Sequence, residues 1–300
     1  EANDKTEAAT LYANALAVIR HSSTKFENEV IFFDPAIHTH AFEREIVDGI
    51  GRAIKMGELF LVYQPKVSLK GNQVEGLETL LRWKHPIHGL LSPALFIPIL
   101  EAHNRMERVT DWIIEEVCKQ IASWREEGIS FGQLSINIPG DYVTSPKLLQ
   151  VLQANMRNYE VLASQLELEI TETSFVRNIE KAIQAVIAFR KEGLSVALDD
   201  FGTGVSSLSY LKKMPISTLK IDKSFIDEIP TSEKDSSILE AMIGLGQSLK
   251  LTIVFEGVET KEQIEFLRNT CIKPVVQGYY YSKPQSSEEI VLWNQVHLAT

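Results

Sequence analysis

The sequence predicts an α/β protein, a modified TIM (β/α)8 barrel whose first strand is antiparallel to its neighbours. Three observations carry that expectation. Eight short aliphatic or β-branched runs recur between Phe42 and Trp293, a span of about 250 residues, which is the usual size of such a barrel. Helical patterns lie between most of them, which makes the later strands parallel. The first two runs are joined only by Leu69-Lys70-Gly71-Asn72, too short for a helical crossover, so they pair as a hairpin. A doubly wound open sheet is the alternative. It usually carries a glycine-rich phosphate loop after its first strand, and none follows here.

Taken in order, residues 8–20 read as a helix with Leu11, Ala15, Leu16 and Ile19 on one side, and 30–33 as a short strand stopped by the Asp34-Pro35 turn. One helix and one strand are too little for a domain. Residues 1–40 are therefore read as an N-terminal appendage, either packed on the main body or the tail of a preceding domain, and 41–300 as the barrel. Its strands are expected at 59–67, 74–83, 133–138, 166–171, 195–200, 218–222, 252–256 and 275–279. Residues 108–126 place Trp112, Val117, Ile121 and Trp124 at near-helical spacing and stop before Gly128. Residues 175–191, from Phe175 to the Gly193 stop, repeat the pattern, as do 238–249 and 261–268. His85 and His88, which follow Trp83, read as solvated loop residues.

Composition narrows the function. Thirty Lys and Arg against forty Asp and Glu leave a net charge of −10, which disfavours passive adhesion to polymeric nucleic acid or an anionic membrane. A small anionic ligand stays open, because a bound metal inverts the local field. With 44% hydrophobic and 23% charged residues, a collagen, a coiled coil or a disordered tail is excluded. Cys118 and Cys271 make no disulfide framework and match no zinc spacing, so they are expected as buried thiols of a reducing compartment. There is no signal-peptide pattern and no apolar run near the roughly twenty residues of a membrane span. A cytoplasmic location is expected, with any membrane anchor of a longer parent outside these residues.

The acids are placed informatively. Glu78 lies in the second strand, Asn137 ends the third, Glu169 and Glu172 flank the end of the fourth, and Asp199 and Asp200 end the fifth. Lys220 and Asp222 end the sixth, Glu256 the seventh, and Gln277 the eighth. Singly, each has a plain explanation as a cap, a turn, a salt bridge or a surface lysine. Together they require a separate coincidence of strand position each time. Acids at one end of successive barrel strands point into one volume, where buried carboxylates need a compensating cation. Oxygen donors with one amide and no Cys or His select Mg²⁺ or Mn²⁺. Adjacent aspartates suit two ions with a bridging carboxylate, an arrangement that favours phosphoryl-ester hydrolysis. Lys220 would position the attacking water or neutralise developing charge. Arg82 would pair with a phosphate or sit in a salt bridge within the barrel.

These residues resemble, in order, the motifs of the EAL domain, the bacterial cyclic di-GMP phosphodiesterase. Glu78-Thr79-Leu80 with Leu81-Arg82-Trp83 resembles its signature, and Tyr63-Gln64-Pro65 its opening strand. Ser92-Pro93 with Phe96-Ile97-Pro98 resembles the next block. Asn137, Glu169-Ile170-Thr171-Glu172, Asp199-Asp200-Phe201-Gly202-Thr203-Gly204, Leu219-Lys220-Ile221-Asp222, Glu256-Gly257-Val258-Glu259 and Gln277-Gly278-Tyr279 follow. The resemblance covers roughly residues 42–285. It implies two Mg²⁺ or Mn²⁺ ions held by Glu78, Asn137, Glu169, Asp199, Asp200 and Glu256. It also implies a water-orienting Lys220, a Glu172 that holds the loop after Asp200, and substrate contacts from Gln64, Leu80, Arg82 and Gln277. The implied reaction is hydrolysis of cyclic di-GMP to linear pGpG. A cyclic di-GMP receptor without turnover is the alternative.

Three residues depart from the family pattern. Thr79 stands for alanine, Val205 for an aromatic residue, and Phe255 for alanine beside a ligand. The N-terminal segment resembles the end of a GGDEF domain, but no Gly-Gly-Asp/Glu-Glu-Phe run occurs and no cyclase activity is expected. An upstream sensor or GGDEF domain and a homodimer built around residues 200–207 are the implied partners.

Overall fold

The structure, a computed structural model, describes residues 35–172, 179–203 and 211–297. The expected helix at 8–20, the strand at 30–33, the start of the helix at Phe175, and Val205 lie outside the described residues. The strands are β1 (Leu59–Ser68), β2 (Gln73–His85), β3 (Gly89–Leu91), β4 (Gln133–Asn137), β5 (Leu166–Thr171), β6 (Ser195–Phe201), β7 (Thr218–Ile221), β8 (Thr252–Phe255) and β9 (Pro274–Val276). The chain divides into two compact units. Residues 35–60 and 81–112 form the first, and 61–80 and 113–297 the second.

The second unit is the barrel. Its strands run in the order β1, β9, β8, β7, β6, β5, β4, β2, and β1 pairs with β2 to close the ring. Strands β4 to β9 pair in parallel, and β2 joins β4 in parallel. Strand β1 is antiparallel to β9, with Val67 opposite Val276 and Ser68 opposite Val275. The helices that return the chain, among them Ile179–Lys191, Glu233–Ser248 and Lys261–Thr270, bury apolar stripes such as Ala182, Val186 and Phe189. Ser232 and Thr260 cap two of them through their hydroxyls. The alternation of a strand then sorts the side chains. On β5, Leu166, Leu168 and Ile170 are fully buried and apolar, while Glu167 and Glu169 alternate with them and are also buried. The second face of this strand is therefore polar and interior.

The first unit holds the helix Pro35–Lys55, the helix Pro93–Ala102, and the hairpin of β2 and β3, in which Trp83 pairs with Leu91 and His85 with Gly89. Trp83 is fully buried, edge-on to Phe96 and His85, and its Nε1 donates to Glu58 Oε2 at 3.2 Å. The expectation of solvated histidines is corrected here. His85 is 1% exposed and ends β2, and the side chain of His88 is 3% exposed. Their rings stack at 4.8 Å, and their Nε2 atoms lie 3.4 and 3.8 Å from the two oxygens of Glu45. Pairing with β3 extends β2 past Trp83, and the tight turn to Gly89 folds His88 back over His85.

The helices Pro35–Lys55, Pro93–Ala102, Pro146–Asn158 and Ser287–His297, like the short β3, were not anticipated. Pro93 and Pro146 sit at the first helical turn, where no N–H is missed. The last barrel strand stops at Val276 rather than 279. The chain turns there, with the N–H groups of Tyr281 and Ser282 donating to the Gly278 carbonyl, and Gly278 packs so closely on the backbone of Val258 that a Cβ would find no room. Cys118 and Cys271 are buried free thiols, as expected. No helix among the described residues is long and apolar enough to cross a membrane. His85→Ala is expected to lower stability by about 2–3 kcal/mol in urea unfolding, where a solvated loop histidine would change it by no more than about 0.5.

Candidate functional site

The C-terminal ends of the parallel strands bring the sequence-predicted acids together around one lysine. Lys220, on β7, is fully buried. Its Nζ lies 2.7 Å from Glu169 Oε2 on β5, 2.8 Å from Glu256 Oε1 after β8, 3.0 Å from Asp199 Oδ1 on β6 and 3.7 Å from Glu78 Oε2 on β2. Glu78 is held at both oxygens by amides. Asn137 Nδ2 donates to Oε1 at 2.9 Å and Gln277 Nε2 to Oε2, while Gln277 also donates to Gln64 Oε1 at 3.0 Å. Gln64 in turn donates to the carbonyl of Ser282 at 3.0 Å. Leu80 is half-buried and shares its strand face with Glu78. Arg82 belongs to the first unit and donates to the carbonyl of Leu81 at 2.8 Å.

Asp199 and Asp200 pose a geometric problem, because neighbours on a strand point to opposite faces. The strand solves it with a register break between Leu198 and Phe201, and Asp200 takes a positive φ of 54°. The turn brings carboxylate oxygens of Asp199, Asp200 and Glu256 within 4.8 Å of one another. Asp199 Oδ1 accepts from the Asp200 N–H at 3.0 Å. Gly202 follows at φ 101°, and its N–H donates to Glu172 Oε2 at 3.0 Å, so Glu172 ties the end of β5 to the turn after β6.

One ammonium cannot neutralise this many acids. Burial and then the neighbouring Asp199 push the Asp200 carboxyl up to about 6. Burial pushes Glu256 up to about 8, against the pull of Lys220. Glu169 and Asp199 are raised as well, by burial first. Burial alone would lower Lys220, but the carboxylates of Glu169, Glu78, Glu256 and Asp199 raise it, so it stays charged. The donor set fits a hard divalent cation: it is all oxygen, crowded, and short of positive charge.

Sequence reasoning missed a second polar layer deeper in the barrel. Lys66 is buried and donates to Glu167 Oε2 at 2.6 Å and to Ser135 Oγ, and Thr218 Oγ1 donates to Glu167 Oε1 at 2.6 Å. The signal was available. Lys66, Ser135, Glu167 and Thr218 each stand two residues from a predicted site residue, on the same strand face.

Of the departures, Phe255 is fully buried and pairs with Ile221 and Val276, one residue out of phase with Glu256. Thr79 is buried out of phase with Glu78, and its Oγ1 has no hydrogen-bond partner among the described residues.

Residues 48–284 match the family described as the EAL domain. The chain belongs to the EAL domain family. It is 38% identical over 263 residues to the oxygen sensor protein DosP of Escherichia coli, covering 87% of this chain and 33% of that protein. It is 35% identical over 284 residues to the cyclic di-GMP phosphodiesterase NbdA of Pseudomonas aeruginosa, covering 94% of this chain and 36% of that one. It thus spans about a third of the length of these relatives. The solved structure of the PaMucR phosphodiesterase in complex with c-di-GMP superimposes with a TM-score of 0.77 at 34% identity, over 82% of this chain and 99% of that one.

In the metal-free protein, an Asp200 raised above its unfolded value binds more protons folded than unfolded, so its contribution lowers stability as pH rises from about 4 to 6. Asp200→Asn keeps the left-handed backbone tolerable and removes that charge. Its melting temperature with EDTA should exceed that of the parent at pH 8 and match it near pH 3.5.

Proposed function

We propose that this EAL domain hydrolyses cyclic di-GMP to linear pGpG with two Mg²⁺ or Mn²⁺ ions. The observation that carries the reading is the convergence of Glu78, Glu169, Asp199, Asp200 and Glu256 with Lys220 at one barrel mouth, with Asn137 beside them. Glu78, Asn137, Glu169, Asp199, Asp200 and Glu256 would hold the ions, which supply Lewis acidity toward phosphoryl oxygens and an acidified water.

The chain's own residues do the rest. Lys220 holds and orients the water that attacks phosphorus and offsets negative charge as it develops. The amides of Asn137 and Gln277 fix both oxygens of Glu78. Glu172 keeps the turn after Asp200 in place through Gly202. Gln64, Leu80, Arg82 and Gln277 take the substrate contacts. The full ligand set, together with Glu172, favours turnover over a receptor that only binds. The longer relatives support further domains in the parent protein, and a homodimer through the region of residues 200–207 follows from the family likeness.

The test is turnover of cyclic di-GMP by the full 300-residue chain with Mg²⁺ or Mn²⁺, followed by chromatography. The expected product is pGpG, and Glu78→Ala should lower kcat at least a hundredfold; binding without any pGpG would favour the receptor. Cation uptake must also displace the proton of Glu256, held with a pKa of about 8, and, at pH 6 and below, that of Asp200, held with a pKa of about 6. Calorimetry in buffers of different ionisation enthalpy should report proton release at pH 7 and an affinity that rises with pH between 6 and 8.

A further inference from the structure

Glu169 differs from the other site carboxylates in being gripped by two ammonium groups. Its Oε2 faces Lys220 at 2.7 Å, and its Oε1 faces Lys66 at 3.4 Å. Lys66 comes from β1, whose sheet neighbours are β9 and β2, yet it reaches Ser135 on β4 and Glu167 and Glu169 on β5. It therefore crosses the barrel interior, and it is 4% exposed. Glu167 is fully engaged. One oxygen accepts from Thr218, and the other from Lys66 and from Ser135 at 2.8 Å.

A buried ion pair is weak grounds for stability, because an apolar replacement often serves as well. What the Lys66–Glu167 pair does that an apolar pair does not is carry a fixed positive charge to the inner edge of Glu169. The antiparallel course of β1 makes this placement possible. On a strand that enters from the mouth, Gln64 lies at the mouth, and Lys66, two residues on, lies one layer deeper on the same face.

We propose that Lys66 is a positioning residue for the metal site: anchored by Glu167 and Ser135, it holds Glu169 from the interior side so that the carboxylate keeps its orientation toward the mouth. The inference rests on reading Glu169 as a metal ligand. When cations enter, Lys220 must share its four carboxylates with them, whereas Lys66, committed to Glu167 in the deeper layer, keeps its hold. Groups that orient a ligating carboxylate from behind are typically worth 10- to 100-fold in metal affinity.

The test compares Lys66→Met/Glu167→Gln and Glu167→Gln with the parent chain. The double variant removes one positive and one negative charge, so the net field at the mouth is nearly unchanged. The amide that replaces the Glu167 carboxylate can still bond Thr218 and Ser135, so no charge is left buried and unpaired. Melting temperature checks the fold, calorimetric titration with Mn²⁺ reads affinity, and cyclic di-GMP turnover is followed against Mn²⁺ concentration. The expected result is a double variant that melts within a few degrees of the parent, binds Mn²⁺ at least tenfold more weakly and regains turnover when Mn²⁺ is raised. Glu167→Gln alone keeps Lys66 but takes away the charge that anchors it, and should bind Mn²⁺ with an affinity between those of the double variant and the parent. A double variant with parental Mn²⁺ affinity would overturn the role of Lys66 while leaving the phosphodiesterase reading intact. A parent chain that binds no Mn²⁺ would overturn both. Unfolding of the double variant with normal melting of Glu167→Gln would assign Lys66 to stability instead.

Discussion

One buried ammonium holds the site in its present form. Lys220 sits among carboxylates from four other segments of the barrel mouth. Without a cation there, like charges at these distances would repel strongly in a medium that screens them poorly. With it, the carboxylates can be gathered before any ligand arrives, at the cost of protons retained on some of them. The geometry of the mouth thus depends on a charge balance that is only partly met, and that deficit is what an incoming divalent cation would fill.

Around this centre the structure removes freedom where orientation matters. Glu78 has an amide on each oxygen, and Asp199 is braced by the N–H of its neighbour. Asp200 is turned inward by a register break and a left-handed backbone that an ordinary strand residue would avoid. Glu172 ties the turn after it to the preceding strand. Side chains held in place before any ligand arrives have little left to reorganise when one binds.

Most of the barrel was legible because its strands are compact apolar runs and its acids recur at their ends. The turn joining β1 and β2 was readable from its length alone. The deeper layer was harder to see, since Glu167 and Lys66 hide inside runs that look like surface alternation unless the strand is known to be buried on both faces. His85 and His88 were misread for a related reason. Histidine is polar enough for a loop, and it takes the pairing of β3, the ring of Trp83, and Phe42 and Glu45 from much earlier in the chain to enclose them. The helices at Pro93 and Pro146 each open on a Ser-Pro pair, a start signal that a reading built on strand runs and their end residues passed over.

The closure of the ring between β1 and β9 has a consequence for the order in which the protein is made. Gln64 meets its partners Gln277 and Ser282 across 213 and 218 residues of chain, and Glu78 meets Gln277 across 199. A ribosome delivers these segments many seconds apart, at about 5–20 residues per second. The amide frame around Glu78 cannot close until the stretch after β9 has left the exit tunnel, however early the first hairpin forms. A nascent or truncated chain then carries the signature acid without its full support, and the competent mouth appears only with the last turn of the ring.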